Sequence, residues 1–363
     1  MKRTPLFDGH VAAQARLVDF AGWEMPIQYS GVVDEYQTVR TAAGLFDVSH
    51  MGRIALSGGG ALPFLQSVAT NDAAKLAVLE SHYSMVCNPD GGIKDDIFVY
   101  RLKADEYLLC VNASNREKIL AWLKEQATGR VDLRIEDKSG TLAQLALQGP
   151  ASRKVLADLG LSRIEDLKPR HCLEATLAGA PLLITRTGYT GELGYELYVP
   201  AGRALALWTE LLAVGKAAGL KPAGLGARDL LRLEMAYLLY GNDISEDTTP
   251  IEAGADWVVS FEKGDFIGRE ALWRQKSQGS ARRLAAFELL EKAVPRHGFK
   301  ILADGRQVGE VTSGNLSPIL QKGIGLGYLP PSLAGVGSAM TVDIRGRLVP
   351  AQVVKPPFYK RKA

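Results

Sequence analysis

The chain is poor in the features that mark several large classes of protein. It has three cysteines among 363 residues, Cys87, Cys110 and Cys172, odd in number and far apart. They form neither a CxxC zinc pattern nor a disulfide framework, which points to a reducing compartment. No apolar run approaches the ~20 residues of a membrane span, so no membrane partner is expected. Charge is nearly balanced, with 43 Lys+Arg against 40 Asp+Glu and a formal +3. No basic block stands out, so nucleic acid is not an expected partner. Met1-Lys2-Arg3-Thr4-Pro5 begins basic but no hydrophobic segment follows, so no secretory signal is expected. The P-loop, HExxH and GxSxG motifs are missing, and with them support for P-loop, zincin and α/β-hydrolase chemistry. The five histidines, His10, His50, His82, His171 and His297, lack ligand spacing, so no metal site is expected.

What is there is an ordinary globular balance, 47% hydrophobic and 23% charged. At ~100–200 residues per domain the length implies two or three domains. Residues 64–119 read as a compact α+β unit. Two strand-like runs, 95–102 and 106–112, are joined by Lys103-Ala104-Asp105 at hairpin spacing. A helix is predicted from about Asn115, burying Ile119, Leu120, Trp122 and Leu123. Another follows Gln148-Gly149-Pro150. A second strand pair is predicted at 182–187 and 195–199, then helices over 203–218 and 227–239. From about residue 280 short alternating segments broken by Gly and Pro predict a small all-β domain. Gly323-Ile324-Gly325-Leu326-Gly327 lacks GxGxxG spacing and reads as a tight turn in that domain. Strands and helices do not alternate regularly, so the fold class is α+β.

Three segments carry candidate chemistry. Gly91-Gly92-Ile93-Lys94-Asp95-Asp96-Ile97-Phe98-Val99-Tyr100 opens an apolar strand with two adjacent acids. Side chains alternate in a strand, so Asp95 points with Ile93, Ile97 and Val99, and Asp96 with Lys94, Phe98 and Tyr100. A carboxylate on an aliphatic face loses solvation, which raises its pKa and suits it to proton handling; the plain alternative is that both acids bind turn amides. Residues 188–196 pack three glycines, two tyrosines and two acids, Glu192 and Glu196, into nine positions. That suits a planar ligand with paired N–H donors as well as it suits a hairpin loop. Arg228 falls in the first turn of an amphipathic helix, where the helix dipole opposes a cation. Its i+3 and i+4 neighbours are Leu231 and Arg232, so its partner comes from elsewhere in the fold or from a ligand.

Together these segments resemble the aminomethyltransferase (T-protein) family of the glycine cleavage system. The matching stretches include Phe20-Ala21-Gly22-Trp23-Glu24-Met25-Pro26, Phe46-Asp47-Val48-Ser49-His50-Met51, Gly91-Gly92-Ile93-Lys94-Asp95-Asp96, Thr187-Gly188-Tyr189-Thr190-Gly191-Glu192, Gly226-Ala227-Arg228-Asp229 and Tyr240-Gly241-Asn242-Asp243-Ile244. Their order and spacing hold over most of the chain. The resemblance implies a three-domain, cloverleaf-like α+β protein around a central folate channel. Its domains would be 1–50 with 140–275 as folate-binding core, 51–139 as an inserted α+β domain, and 280–363 as a small β-barrel. It also implies a monomeric cytoplasmic enzyme that takes an aminomethyl group from the lipoyl arm of the H-protein. The carbon passes to tetrahydrofolate, giving 5,10-methylenetetrahydrofolate and ammonia. Asp95 maps to the family's key carboxylate, Glu196 to its pterin-binding acid and Arg228 to its folate-site arginine, while Tyr83, Asn112 and Tyr189 match further pocket positions. Lys94 departs from the family's usual aliphatic residue. The related iron–sulfur assembly proteins carry a cysteine signature that is missing here. The folate domains of dimethylglycine and sarcosine oxidases follow a flavin-binding portion, and no upstream GxGxxG is found here.

Overall fold

A computed structural model describes residues 1–361, apart from the side chain of Ser162. The backbone packs into two compact units. One comprises residues 1–68, 72–84 and 96–229, the other residues 69–71, 85–95 and 230–363.

The first unit opens with a two-stranded ribbon, Arg16–Phe20 and Trp23–Gln28. Its two-residue turn, Ala21-Gly22, takes positive φ at both positions, the geometry that matches strand twist. A six-stranded sheet follows in the order Cys172–Leu177, Ala180–Thr185, Gly194–Pro200, Leu142–Gln148, Ala43–Asp47, Leu220–Pro222. Only the last pair is parallel. The two faces of this sheet do different things, because alternate residues point opposite ways. Ala43, Leu45, Ala143, Leu145, Leu147, Tyr195, Leu197 and Val199 join one core with Val155 and Leu156 of helix Ser152–Asp158 and with Leu207, Trp208 and Leu211 of helix Ala204–Gly215. On the other face, Tyr198 joins Cys172 in a core with Tyr100, Leu108 and Cys110. Those three belong to a five-stranded sheet, ordered Glu80–Cys87, Ile93–Arg101, Glu106–Val111, Gly52–Ser57, Arg134–Asp137. Glu196 and Gln144 therefore point into the layer between the two sheets of this unit.

The predicted hairpin is present, with Phe98 opposite Cys110 and Tyr100 opposite Leu108. The second predicted pair lies at Ala180–Thr185 and Gly194–Pro200, with Leu183 opposite Tyr198. Helix Arg116–Gln126 buries Ile119 and Leu123, while Leu120 and Trp122 stay partly exposed.

In the second unit a closed six-stranded barrel runs in the order Arg283–Leu289, Lys322–Leu329, Arg306–Ser317, Lys300–Ala303, Ala339–Ile344, Arg347–Val354. Two expectations need correction here. The helix predicted to reach Leu239 ends at Glu234. Ala236 takes a positive φ of 54°, and the Arg232 guanidinium donates to the Tyr237 carbonyl at 3.1 Å, closing off the next turn. The glycine-rich 323–327 segment is a strand and not a turn. Its glycines make room for the barrel interior: a Cβ on Gly325 would lie 2.5 Å from Phe287 Cζ, and one on Gly327 2.6 Å from Ile301 Cδ1. Phe287 and Ile301, both fully buried, occupy the space that the missing side chains leave.

Gly325→Val is expected to lower stability by about 1–3 kcal/mol, the usual cost of overpacking a filled core. Denaturant unfolding of Gly325→Val and of Gly325→Val with Phe287→Leu measures it; the smaller ring-site residue should recover part of the loss.

Candidate active site

The lower part of the site is a loop pinned from beneath. Gln148 is fully buried and its amide donates to the carbonyls of Thr187 and Tyr195 at 3.2 and 3.4 Å. Its Oε1 accepts from Thr190 Oγ1 at 2.9 Å. A Cβ on Gly188 or Gly194 would fall 2.1–2.2 Å from that oxygen, so both positions must be bare. Arg40 then donates to the Thr190 carbonyl and to Glu192 Oε1, each at 2.8 Å, in a pair with almost no exposed surface. This separates the two acids of the loop: Glu192 is consumed in holding it, and Glu196 is not.

Glu196 keeps partial exposure in the layer between the two sheets of the first unit. Gln144 Nε2 donates to Oε1 at 3.1 Å, and Tyr100 OH donates to Oε2 at 3.3 Å. Thr187 Oγ1 donates to Oε2 as well. Tyr198 OH feeds Tyr100 OH at 3.2 Å, making a short relay of phenols. Burial and the Glu196 charge hold the Tyr100 phenol well above its usual pKa, so it remains a donor at neutral pH. A carboxylate offers about four lone-pair directions, so three internal donors leave it one acceptor position.

Arg228 sits in the first turn of helix Leu225–Glu234. That helix start is fixed by Glu35, fully buried, which accepts from Gly224 N at 2.8 Å and Gly31 N at 3.1 Å, and from Tyr29 N. The Arg228 guanidinium lies 4.8 Å from the centroid of the Tyr189 ring. Burial draws its pKa down, and Glu196 and Tyr189 oppose that shift, so the carboxylate supplies the counter-charge expected from outside the helix.

The expected pocket residues Tyr83 and Asn112 meet on Asp96. Tyr83 OH donates to Oδ2 at 2.8 Å and Asn112 Nδ2 to Oδ1 at 2.7 Å. Strand Ile93–Arg101 alternates buried and partly exposed side chains through Tyr100, where burial resumes. Asp95 is 0% exposed on the aliphatic face, whereas Asp96 shares its face with Phe98 and with Tyr100, which reaches Glu196. Asp95 falls in the second unit of the chain, and Glu196, Arg228, Tyr189, Tyr83, Asn112 and Asp96 all fall in the first. The structure thus joins Glu196, Arg228 and Tyr189, and joins Tyr83 and Asn112 through Asp96. Asp96, whose face alternation predicts, is not among the sequence-predicted site residues. Gln144 and Thr187 were missed altogether, although Gln144 is a lone amide in the apolar run Leu142-Ala143-Gln144-Leu145-Ala146. Lys94, the departure from the family pattern, pairs with Glu246 at 3.2 Å. The three cysteines are buried free thiols, and burial pushes each up to about 12.

With this geometry in view, the comparisons decide the family. Residues 6–263 match the GCVT N-terminal domain and residues 282–360 the glycine cleavage T-protein C-terminal barrel domain. The chain belongs to the glycine cleavage T-protein family. An aminomethyltransferase of Halothermothrix orenii is 48% identical over 99% of this chain and 100% of its own length. One from Bacillus subtilis is 46% identical over 99% and 100%. The crystal structure of glycine cleavage system aminomethyltransferase T from Bartonella henselae is similar with a TM-score of 0.93, at 36% identity over 99% of both chains. The T-protein relatives at this identity and coverage make the chain an enzyme of the aminomethyltransferase class. Among the described residues no helix is long and apolar enough to cross a membrane, and no three acids, histidines or cysteines gather into a metal site.

The floor of this T-protein site leans on a second buried carboxylate, Asp47, which accepts from Thr4 Oγ1 at 2.6 Å, His10 Nε2 at 2.9 Å and Ser49 N at 2.8 Å. Burial raises its pKa, but these donors outweigh burial and hold it below the usual value. A depressed carboxylate pKa gives stability that is complete above the unfolded-state value of about 3.9 and is lost as pH falls through the folded one. Asp47→Asn is expected to cost on the order of 3 kcal/mol at pH 7. Denaturant unfolding should show that gap narrowing below about pH 4, where the unfolded chain takes up the proton before the folded one does.

Proposed function

We propose that this enzyme transfers the aminomethyl-derived carbon from the lipoyl arm of an H-protein to tetrahydrofolate in glycine breakdown. Ammonia is released and 5,10-methylenetetrahydrofolate is formed. The observation that carries this reading is the partly exposed Glu196–Arg228 pair, with the guanidinium against Tyr189, opposite a strand face that presents Asp96. Those donor and acceptor types fit a bicyclic ring with an N–H on one edge, because a carboxylate with an open acceptor position takes such a donor and an aromatic ring packs on its plane. When bound, tetrahydrofolate supplies the N5 and N10 nitrogens that take up the carbon.

The chain's own residues would then divide the work. Glu196, with one acceptor position left, holds the ring's N–H edge and so orients N5. Arg228 balances the charge of Glu196 and packs with Tyr189. Asp96 carries the proton-handling role: its oxygens are aimed by Tyr83 OH and Asn112 Nδ2 on a partly exposed strand face, where a carboxylate can meet an N–H donor or developing positive charge. Tyr83 and Asn112 act through Asp96 as positioning residues. The family resemblance had placed that role on Asp95, whose side chain has no accessible surface.

One assay separates the two acids. H-protein loaded with the aminomethyl group is mixed with enzyme, with and without tetrahydrofolate, and ammonia and methylenetetrahydrofolate are measured. Asp96→Asn should cut turnover by ~10²-fold or more while tetrahydrofolate binding stays within a few-fold. Asp95→Asn should act mainly on stability. The reverse pattern would return the catalytic role to Asp95. Tight tetrahydrofolate binding with no product from the wild-type enzyme would refute the transferase reading.

A further inference from the structure

His50 is a buried polar group of the first unit that the reaction above leaves unused. Its side chain is 2% exposed, and its Nδ1 has no hydrogen-bond partner among the described residues. An unsatisfied buried nitrogen destabilises the fold that contains it, so such a group calls for a reason. Looseness is not the reason. The ring stands edge-on to Phe20, with centroids 5.5 Å apart and planes at 87°. The segment that carries it is fastened by Arg53, fully buried, whose guanidinium donates to the carbonyls of Ser49, Met51 and Ser139.

The position of this segment ties His50 to the ligand-facing residues. Ser49 Oγ donates to the Gln144 carbonyl and accepts from the Gln144 N–H, both at 3.1 Å. The Gln144 side chain in turn holds Glu196. Arg228 acts electrostatically on both His50 and Glu196. Asp47, the nearby acid, directs its hydrogen bonds to Thr4, His10 and Ser49 and acts on the imidazole through charge alone. Burial, with Arg228 and Arg53, pushes the His50 pKa down to about 3, against the pull of Asp47. At neutral pH the ring therefore offers a neutral hydrogen-bonding nitrogen.

We propose that His50 is a ligand contact: its Nδ1 hydrogen-bonds the bicyclic ring of tetrahydrofolate that Glu196 and Arg228 hold. The inference rests on the tetrahydrofolate reading above and adds a recognition residue to it. A scaffolding histidine and a ligand-binding one respond to substitution in opposite ways. Removing an unsatisfied nitrogen should leave the free protein at least as stable and weaken only the complex.

Calorimetric titration with tetrahydrofolate is run on the full chain with wild-type His50, His50→Phe and His50→Asn, alongside thermal unfolding of each without ligand. The Asn amide occupies the place of Nδ1. Phe should weaken binding about tenfold or more, the loss of roughly one hydrogen bond, with no drop in unfolding temperature, and Asn should stay within about threefold of wild type. In the wild-type protein the ¹⁵N resonance of His50 Nδ1 should move on saturation with tetrahydrofolate. Wild-type affinity in the Phe variant, or an unmoved resonance, would overturn the contact. Equal weakening in both variants with lower unfolding temperatures would assign His50 to the scaffold and also overturn it. A wild-type chain that binds no tetrahydrofolate would bring down the substrate reading itself, a result distinct from selective loss in the Phe variant.

Discussion

A carboxylate placed in the middle of a sheet must be satisfied on the spot or driven neutral, and Glu196 is satisfied. Its strand, Gly194–Pro200, has neighbours on both sides, so the side chain has only the layer between two sheets to enter. Gln144 comes from the next strand, Thr187 from the end of the preceding hairpin and Tyr100 from the facing sheet. Arg228 brings the opposite charge from the start of a helix. Each donor arrives from a different element, and the pair remains partly open to a ligand. Hydrogen bonding from several sides keeps an acid ionised in poor solvent without taking up its whole acceptor capacity. The arrangement around it follows from that need: the loop must be held so that Thr187 points inward, and the helix start must be held so that Arg228 does.

Much of this could be read in the chain before its folding was known, wherever a local rule decides the matter. The two hairpins followed from apolar runs at turn spacing, and the change of texture near residue 280 marked the barrel. The face of each acid in Ile93–Arg101 followed from alternation alone. Alternation did not say which face meets a ligand, because that depends on what lies across the strand. An apolar face reads equally as a proton-handling pocket or as plain core. In the folded chain the Asp95 side chain is fully buried, and Asp96 is met by Tyr83 from one neighbouring strand and by Asn112 just past the end of the other. Arg40 with Glu192, and Gln144 with Glu196, join residues 152 and 52 positions apart. No periodicity in a single sequence reports such pairs. The glycines of 323–327 misled for a related reason: their local preference is a turn, and what placed them in a strand was Phe287 and Ile301 across the barrel.

The acids of the first unit show how a fold separates scaffold from site using one chemical group. Glu35 is closed over by backbone N–H groups from one turn, Tyr29 and Gly31, and from the helix start at Gly224. Asp47 is closed over by a hydroxyl, an imidazole and an amide. Glu192 is paired with Arg40 with almost no exposed surface. Glu35 and Asp47 have committed both oxygens to groups of the chain, and none of the three is left with surface at which to take up a ligand. Glu196 and Asp96 keep surface, and the internal partners of Glu196 fix its direction while leaving one acceptor position. The difference is not one of residue type or of burial alone, since the three scaffold acids would carry the same charge at neutral pH if they were opened to water. It lies in how many acceptor positions the neighbouring strands leave unfilled. On that criterion the polar relay Tyr198–Tyr100–Glu196 belongs to the site as much as the acid does, because it sets which lone pair is left over.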